Sequence, residues 1–156
     1  MIKQRAKQNR TLILQDSEEI AKLKSILVTK EDLQKNCQLN SQNHDFFINK
    51  TINSDLMYAL PFIPDEFADL IIIDPPYNLT KNFNGFSFNA MDDSNYDEYL
   101  QSWFGEVCKK LKQTGSLYIC GDWKCTSSLQ RAVQKELHIL NRITWQREKG
   151  RGAKNN

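Results

Sequence analysis

The sequence predicts an α/β fold with a mostly parallel sheet and flanking helices. Strand-like and helix-like stretches alternate from residue 44 to residue 145, as they do in chains whose strands are joined by helical crossovers. The apolar run at residues 70–73 lacks polar alternation, which indicates a strand buried on both faces. The longest amphipathic stretch, residues 94–112, supplies a crossover helix.

Length and composition indicate one globular core. The chain has 156 residues, of which 40% are hydrophobic and 26% charged, as is ordinary for a soluble domain. No apolar run approaches the roughly 20 residues of a membrane helix. The short run "TLIL" behind the basic N-terminus is too brief for a signal peptide. We therefore expect a cytoplasmic protein with no membrane partner.

Residues 1–43 are expected to form a helical N-terminal extension. The segment "DSEEIAKLKSIL" (16–27) has Asp16 in place to cap a helix, and "KEDLQKN" after Thr29 indicates a second, shorter helix. No residue in this part indicates chemistry, so we expect it to pack on the core or on a partner.

A strand and a short helix are predicted next. The segment "HDFFINKTIN" (44–53) is rich in aromatic and β-branched residues and fits a strand. The segment "SDLMYALPFIP" (54–64) fits a short helix that Pro61 and Pro64 end. The apolar strand at residues 70–73 follows.

Residues 78–93 combine turn formers and aromatic residues without a period, which predicts a long and often functional kind of loop. In the helix that comes next, Ser94 with Asp97 is predicted to cap the start, and Gly115 marks the end. Its apolar stripe consists of Tyr96, Tyr99, Leu100, Trp103, Phe104, Val107, Cys108 and Leu111.

Three more elements complete the pattern. A strand is predicted at residues 116–120, a helix at 124–137 and a strand at 139–145. Residues 148–156 are polar and basic without an apolar period, so we expect a basic flexible tail.

The cysteines and histidines do not indicate a metal site or a disulfide scaffold. The cysteines show no C-x-x-C spacing, and the two histidines lie far apart in the sequence. Reduced, mostly buried thiols and no bound metal are therefore expected. The cysteines are Cys37, Cys108, Cys120 and Cys125.

Positive charge is concentrated at the two ends of the chain. The net charge is +2, but residues 1–10 and residues 142–156 each carry a net +4. Basic ends that flank an acidic middle suit a polyanionic partner, and charge alone fits solvated tails equally well.

The segment "DPPY" at residues 74–77 is the strongest candidate for chemistry. Ligands of parallel α/β sheets bind beyond the carboxyl ends of the strands, and Asp74 is the first residue past such an end. Pro75 and Pro76 stiffen the backbone and remove two N–H donors. A planar ligand that carries an amine can stack on Tyr77 while its two protons point at the Asp74 carboxylate and the Pro75 carbonyl.

This segment resembles the signature of the amino methyltransferases that use S-adenosylmethionine, chiefly the bacterial DNA N6-adenine and N4-cytosine enzymes. The resemblance covers about residues 45–156 and implies a partial Rossmann-like methyltransferase fold, with residues 44–147 as a catalytic half. An aspartate in the first position favours adenine over cytosine. The similar segments are "INSDLMYALPFIPDEFADLIIIDPPYNL" (52–79), "LKQTGSLYICGDW" (111–123) and "ITWQREKGRGAKNN" (143–156).

The resemblance implies a role for each residue of the corner. Asp74 and the Pro75 carbonyl would accept the two N6–H bonds, which localises the nitrogen lone pair for attack on the sulfonium methyl. Pro76 would keep the corner rigid, and Tyr77 would stack a base flipped out of the duplex. Trp145 would pack on the other face of that base, and a core tryptophan is the equal alternative.

The resemblance also implies contacts to the methyl donor and to DNA. Asp74 and Asp55 would lie at the cofactor, because Asp55 matches the acid of the family's Gly-Asp pair. This sequence has Ser54 in place of that glycine, and a helix cap at Asp55 is an equal reading. Four basic residues would lie near DNA phosphates. They are Arg147, Lys149, Arg151 and Lys154.

The glycine turn that holds the donor in this family has no counterpart before Asp74, because the first glycine of the chain is Gly85. The order resembles the permuted, beta-type enzymes, in which the "DPPY" half comes first. We therefore expect an N-terminal half that is inactive alone and that a C-terminal half or a partner subunit completes.

The sequence thus predicts a site-specific DNA adenine-N6 methyltransferase, as in restriction-modification systems. S-adenosylmethionine would be the methyl donor, double-stranded DNA would be the partner, and no metal is expected. Family members often pair, so the resemblance also allows a homodimer. N4-cytosine and RNA adenine remain alternative acceptors. A glutamine amide fits less well, because those enzymes begin the motif with Asn. A non-catalytic partner subunit of a split methyltransferase is the alternative of another class.

Overall fold

The computed structural model describes residues 17–38, 44–83 and 86–145. This part of the chain alternates helices and short strands, so the predicted α/β class is confirmed. The helices are α1 (Ser17–Ile26), α2 (Lys30–Gln38), α3 (Leu56–Ala59), α4 (Asp93–Cys108) and α5 (Thr126–Glu136). The strands are β1 (Leu27–Val28), β2 (Thr51–Ile52), β3 (Ala68–Ile73), β4 (Lys81–Phe83), β5 (Phe86–Phe88) and β6 (Leu111–Ile119).

Contacts within the chain divide it into two units. The first unit is Met1–Ile71 with Lys109–Ser116, and the second is Ile72–Cys108 with Leu117–Asn156. The boundaries that the sequence predicts at residues 43 and 147 stay a prediction.

The described part of the first unit begins with the two predicted helices, α1 and α2. Thr29 donates its backbone N–H and its hydroxyl to the Asp32 carboxylate, at 3.0 and 2.9 Å, and these bonds cap α2. Strands β1 and β2 pair in parallel, with Val28 opposite Ile52. The predicted cap residue, Asp16, lies outside the described residues.

The strand predicted over residues 44–53 is wrong for its first half. His44–Phe47 form a 3-10 helix, and only Thr51–Ile52 are a strand. The aromatic residues collect in a cluster instead of alternating, since the Phe47 ring lies 5.9 Å from the ring of Phe67. Asn49, at φ 58°, turns the chain between the two pieces.

The predicted helix at residues 54–64 is shorter than expected. It consists of α3 and a 3-10 helix at Leu60–Phe62. Pro61 stands in the first turn of that 3-10 helix and does not end it, because the N–H that proline lacks has no partner in a first turn.

Strands β3 and β6 pair with each other. In the first unit, the Ala68 N–H donates to the Lys110 carbonyl at 2.8 Å. In the second, the Cys120 N–H donates to the Ile73 carbonyl at 2.8 Å. The residue numbers of the bonded partners rise together, as parallel strands require.

The expectation that β3 is buried on both faces is wrong. Leu70 is 53% exposed and Ile72 is 68% exposed. On the other face of β3, Ile71 and Ile73 are half-buried.

Helices α4 and α5 pack on each other in the second unit. Arg131 of α5 donates to both carboxylate oxygens of Asp97 in α4, at 2.6 and 3.0 Å. Asp97 is therefore an ion-pair partner and does not cap α4. The cap comes from Asp92, whose carboxylate accepts the Asn95 N–H at 2.8 Å, and Ser94 lies inside the first turn.

Helix α4 ends at Cys108, earlier than predicted. The carbonyls of Lys109 and Lys110 accept N–H bonds from Glu66 and Ala68, which draws the chain into β6. Leu111 and Gly115 consequently lie in a strand and not at the end of a helix.

Two further expectations are wrong. Residues 78–93 are not an irregular loop, because β4 and β5 form an antiparallel hairpin in which Lys81 faces Phe88. Residues 139–145 form no strand. A strand needs a neighbour for its backbone groups, and the described part of the chain offers this segment none.

All four cysteines are free, and only Cys125 is buried. Cys37 and Cys120 are exposed, so the expectation of mostly buried thiols is wrong. Within residues 17–38, 44–83 and 86–145, no helix is long and apolar enough to span a bilayer. The same ranges hold no cluster of metal-ligating side chains.

Candidate functional site

The "DPPY" corner follows directly on the last residue of β3. Residues 74–77 have no regular structure, and Ile73 before them is still bonded to Cys120 after the end of β6. The corner thus lies at the carboxyl end of a parallel strand pair, where the sequence predicts it.

The structure brings the acid and the tyrosine of the corner together. The Tyr77 hydroxyl donates a hydrogen bond to Oδ1 of Asp74, whose side chain is exposed. This bond to a carboxylate, together with partial burial, raises the pKa of Tyr77 to about 12. The phenol therefore stays a donor at neutral pH.

The prolines stand between these two side chains and are less exposed. Pro75 is buried and Pro76 is half-buried. The Pro76 carbonyl accepts a hydrogen bond of 2.6 Å from the hydroxyl of Tyr96 in α4. The corner is thus tied to the helix that follows it in the chain.

Sequence reasoning missed Tyr96 as a site residue and placed it in an apolar stripe. The signal was there, because a fully buried tyrosine needs a partner for its hydroxyl and phenylalanine does not.

A second tie closes the segment after the corner. Asn78 adopts φ 53°, a left-handed conformation that asparagine tolerates better than most residues. Its side-chain amide donates to the Met91 carbonyl at 2.9 Å and accepts the Met91 N–H at 2.7 Å. Next to this pair, the Thr80 hydroxyl accepts the Ala90 N–H at 3.1 Å. Sequence reasoning also missed this clasp of Asn78 and Met91.

The turn after β6 lies beside the corner in the second unit. The Asp122 carbonyl accepts the Cys125 N–H at 3.1 Å, and Cys125 lies beside the Tyr96 hydroxyl. A Cβ on Gly121 would stand only 2.2 Å from Cδ1 of Leu129, so any other residue here would displace that side chain.

Asp55 belongs to the first unit and caps α3. Its Oδ1 accepts the N–H groups of Met57 and Tyr58, at 2.9 and 3.3 Å. The helix-cap reading of Asp55 is therefore confirmed, and its contact with a cofactor stays a prediction. Beside it, the hydroxyl of Ser54 is buried without a hydrogen-bond partner in the described part of the chain.

Trp145 is 87% exposed in the described part of the chain. Its stacking on a base stays a prediction. The four basic residues expected near DNA phosphates lie outside the described residues. They are Arg147, Lys149, Arg151 and Lys154.

The chain belongs to the DNA methylase family of N6 and N4 methyltransferases, because the family model matches residues 68–156. The match begins with β3 and includes the corner, α4 and the turn after β6.

Three relatives support this assignment. Type II methyltransferase M.HinfI of Haemophilus influenzae is 30% identical over 67% of this chain, and the alignment covers 33% of the relative. DNA adenine methyltransferase YhdJ of Escherichia coli K12 is 34% identical, over 60% of this chain and 32% of the relative. Type II methyltransferase M.BamHI of Bacillus amyloliquefaciens is 30% identical, over 85% of this chain and 32% of the relative. The chain spans about a third of the length of these relatives.

Proposed function

We propose that this chain carries the amine-binding corner of a site-specific DNA methyltransferase that methylates the exocyclic N6 of adenine in a restriction-modification system. The observation that carries the proposal is the pairing of the Asp74 carboxylate with the Tyr77 side chain at the end of β3. The relative named DNA adenine methyltransferase favours adenine as the acceptor. The other two are named type II methyltransferases, which supports methyl transfer without naming the base.

The corner offers what an adenine amine needs. The N6 protons would be donated to the Asp74 carboxylate and the Pro75 carbonyl. These two bonds would localise the lone pair on N6, where it is otherwise delocalised into the ring. S-adenosylmethionine supplies the electrophilic methyl group. On transfer, the N6–carbon bond would form as the sulfur–carbon bond breaks with its electron pair left on sulfur, and N6 would then release a proton to water.

The Tyr77 hydroxyl and the target amine would share one carboxylate. A carboxylate accepts about four hydrogen bonds, so Asp74 has room for the phenol and one amine proton. The Tyr77 ring is half-buried, and a flipped base would stack on one face of it.

The first unit has groups that fit part of the methyl donor. Asp55 uses Oδ1 to cap α3, and the buried hydroxyl of Ser54 has no partner in the described part of the chain. A buried hydroxyl without a partner is costly unless a ligand meets it, which supports a contact of this segment with the polar adenosine portion.

Double-stranded DNA is the proposed partner. The exposed ring of Trp145 and the basic residues that follow it in the sequence are suited to a base and to phosphates respectively.

Transfer of a tritiated methyl group tests the proposal. The protein would be expressed from its complete reading frame and incubated with labelled S-adenosylmethionine and unmethylated DNA, and the DNA would be digested to nucleosides. We expect label in N6-methyladenine, and at least a hundredfold loss in Asp74→Ala, because the substitution removes an acceptor at the reacting amine.

Other outcomes identify the alternatives. Label in N4-methylcytosine, or in RNA and not DNA, would change the acceptor. Full activity of Asp74→Ala would overturn the role of the corner. A protein that neither transfers the methyl group nor binds S-adenosylmethionine in calorimetry would be a partner subunit.

A further inference from the structure

We propose that Tyr96 is a positioning residue for methyl transfer, because its hydroxyl holds the Pro76 carbonyl and thereby sets how the Tyr77 ring stands over the corner. The inference rests on the proposed function. It adds a residue of α4, outside the "DPPY" segment, to the machinery of that site.

The geometry of Tyr96 is that of a fixed donor. Its side chain has no exposed surface, and its hydroxyl lies 2.6 Å from the carbonyl oxygen of Pro76. Its ring stacks on that of Tyr99 at 5.9 Å with 22° between the planes. The hydroxyl thus has little freedom to leave the corner while α4 is in place.

The bond acts on the part of the corner that its prolines leave free. The rings of Pro75 and Pro76 fix φ at both residues. Asp74 and Pro75 each precede a proline, which restricts their ψ angles to extended values. The ψ angle of Pro76 has no such restriction, and it sets the orientation of the next peptide unit. A hydrogen bond to the Pro76 carbonyl fixes that angle.

The chemistry of the site keeps this donor protonated. Burial raises the pKa of Tyr96 above the ordinary value of a phenol, and the neighbouring Cys125 adds to the effect. A phenylalanine in its place would preserve the ring packing and leave the Pro76 carbonyl without that donor.

The test compares Tyr96→Phe with a matched loss of one tyrosine hydroxyl elsewhere. The hydroxyl of Tyr58 in the first unit accepts a hydrogen bond of 2.8 Å from the Gln34 amide, so Tyr58→Phe is the control. We expect kcat for methyl transfer, measured where both variants are fully folded, to fall about tenfold in Tyr96→Phe, while KM for DNA stays near that of Tyr58→Phe.

A second readout does not need activity. With 13C at Cζ of tyrosine, NMR follows the ionisation of Tyr77, whose pKa the Asp74 carboxylate raises to about 12. If Tyr96 sets the Tyr77 ring, then Tyr77 in Tyr96→Phe titrates at lower pH than in the wild type. In Tyr58→Phe its titration is unchanged.

The two readouts distinguish a failure of this inference from a failure of the proposed function. Wild-type kcat and an unshifted Tyr77 titration in Tyr96→Phe would overturn the inference and leave the proposed function in place. A loss of kcat that only follows a lower melting temperature would assign Tyr96 to the fold, and would also overturn it. A wild-type protein without methyl transfer would overturn the proposed function, and the Tyr77 titration would still decide whether Tyr96 holds the corner.

Discussion

Tyr77 donates its hydroxyl hydrogen to the carboxylate of Asp74, three residues earlier in the chain. The bond brings an acid and an aromatic ring together across two prolines. The phenol takes one of the hydrogen bonds that this carboxylate can accept and leaves room for a target amine. Substitutions of Tyr77 separate the contribution of its ring from that of its hydroxyl.

We expect Tyr77→Phe to keep most methyl transfer, because the ring remains and the Asp74 carboxylate still accepts the amine proton. Tyr77→Ala should lose about 1–3 kcal/mol of base stacking, and Tyr77→Asp should lose more, because it puts a second negative charge beside Asp74. Fluorescence of 2-aminopurine at the target position measures base binding in the three variants. Equal binding by Tyr77→Ala and the wild type would contradict stacking.

The same bond predicts a pH dependence of stability. The pKa of Tyr77 is raised to about 12 in the folded protein by the Asp74 carboxylate, from the ordinary value of 10.0. A raised pKa stabilises the fold fully below about pH 10, and the contribution is lost as the pH rises to about 12. Melting temperatures of the wild type and Tyr77→Phe should therefore differ by a constant amount up to about pH 10 and converge above it. A difference that grows with alkaline pH would show that the sign is wrong.

The clasp of Asn78 and Met91 predicts an ordered ranking of two variants. Asn78→Gly removes the side-chain bonds but tolerates φ 53°. Asn78→Ala removes the same bonds and adds a left-handed strain of roughly 1–2 kcal/mol. Denaturant unfolding should rank wild type above Asn78→Gly and Asn78→Ala last. Tryptic cleavage after Lys81 should accelerate in both variants, and unchanged cleavage would exclude the clasp as the closure of this segment.

Gly121 predicts a loss of stability from a single added methyl group. Its added Cβ would stand 2.2 Å from Cδ1 of the buried Leu129, so Gly121→Ala should cost about 1–3 kcal/mol. Gly105 in α4 offers a control, because a Cβ there meets only the end of the Glu136 side chain, at 3.2 Å. Gly105→Ala should stabilise the helix by about 0.5–1 kcal/mol. Equal unfolding midpoints for the two variants would contradict the close approach.

The corner itself was predictable, because its determinants are local. An apolar run ends at Ile73, an acid follows, and two prolines restrict the backbone whatever surrounds them. The class of the fold was predictable for a similar reason, since the spacing of apolar residues that indicates a helix or a strand can be read from a short window of sequence.

The errors occur where distant pairing overrides a local signal. Gly115 reads as a helix end, but the carbonyls of Lys109 and Lys110 pair with N–H groups more than forty residues earlier, and the chain enters β6. Residues 139–145 have the composition of a strand and find no strand beside them in the described part of the chain. The partner of Tyr96 lies twenty positions away in the sequence, so the residue type alone did not reveal it.

The clasp between Asn78 and Met91 has a consequence for engineering. Since the two residues bond to each other, they close the segment that carries β4 and β5 at both of its ends. A segment of different length, inserted between residues 80 and 90 with Asn78 and Met91 retained, should leave the corner undisturbed. The segment can then be exchanged without loss of the site.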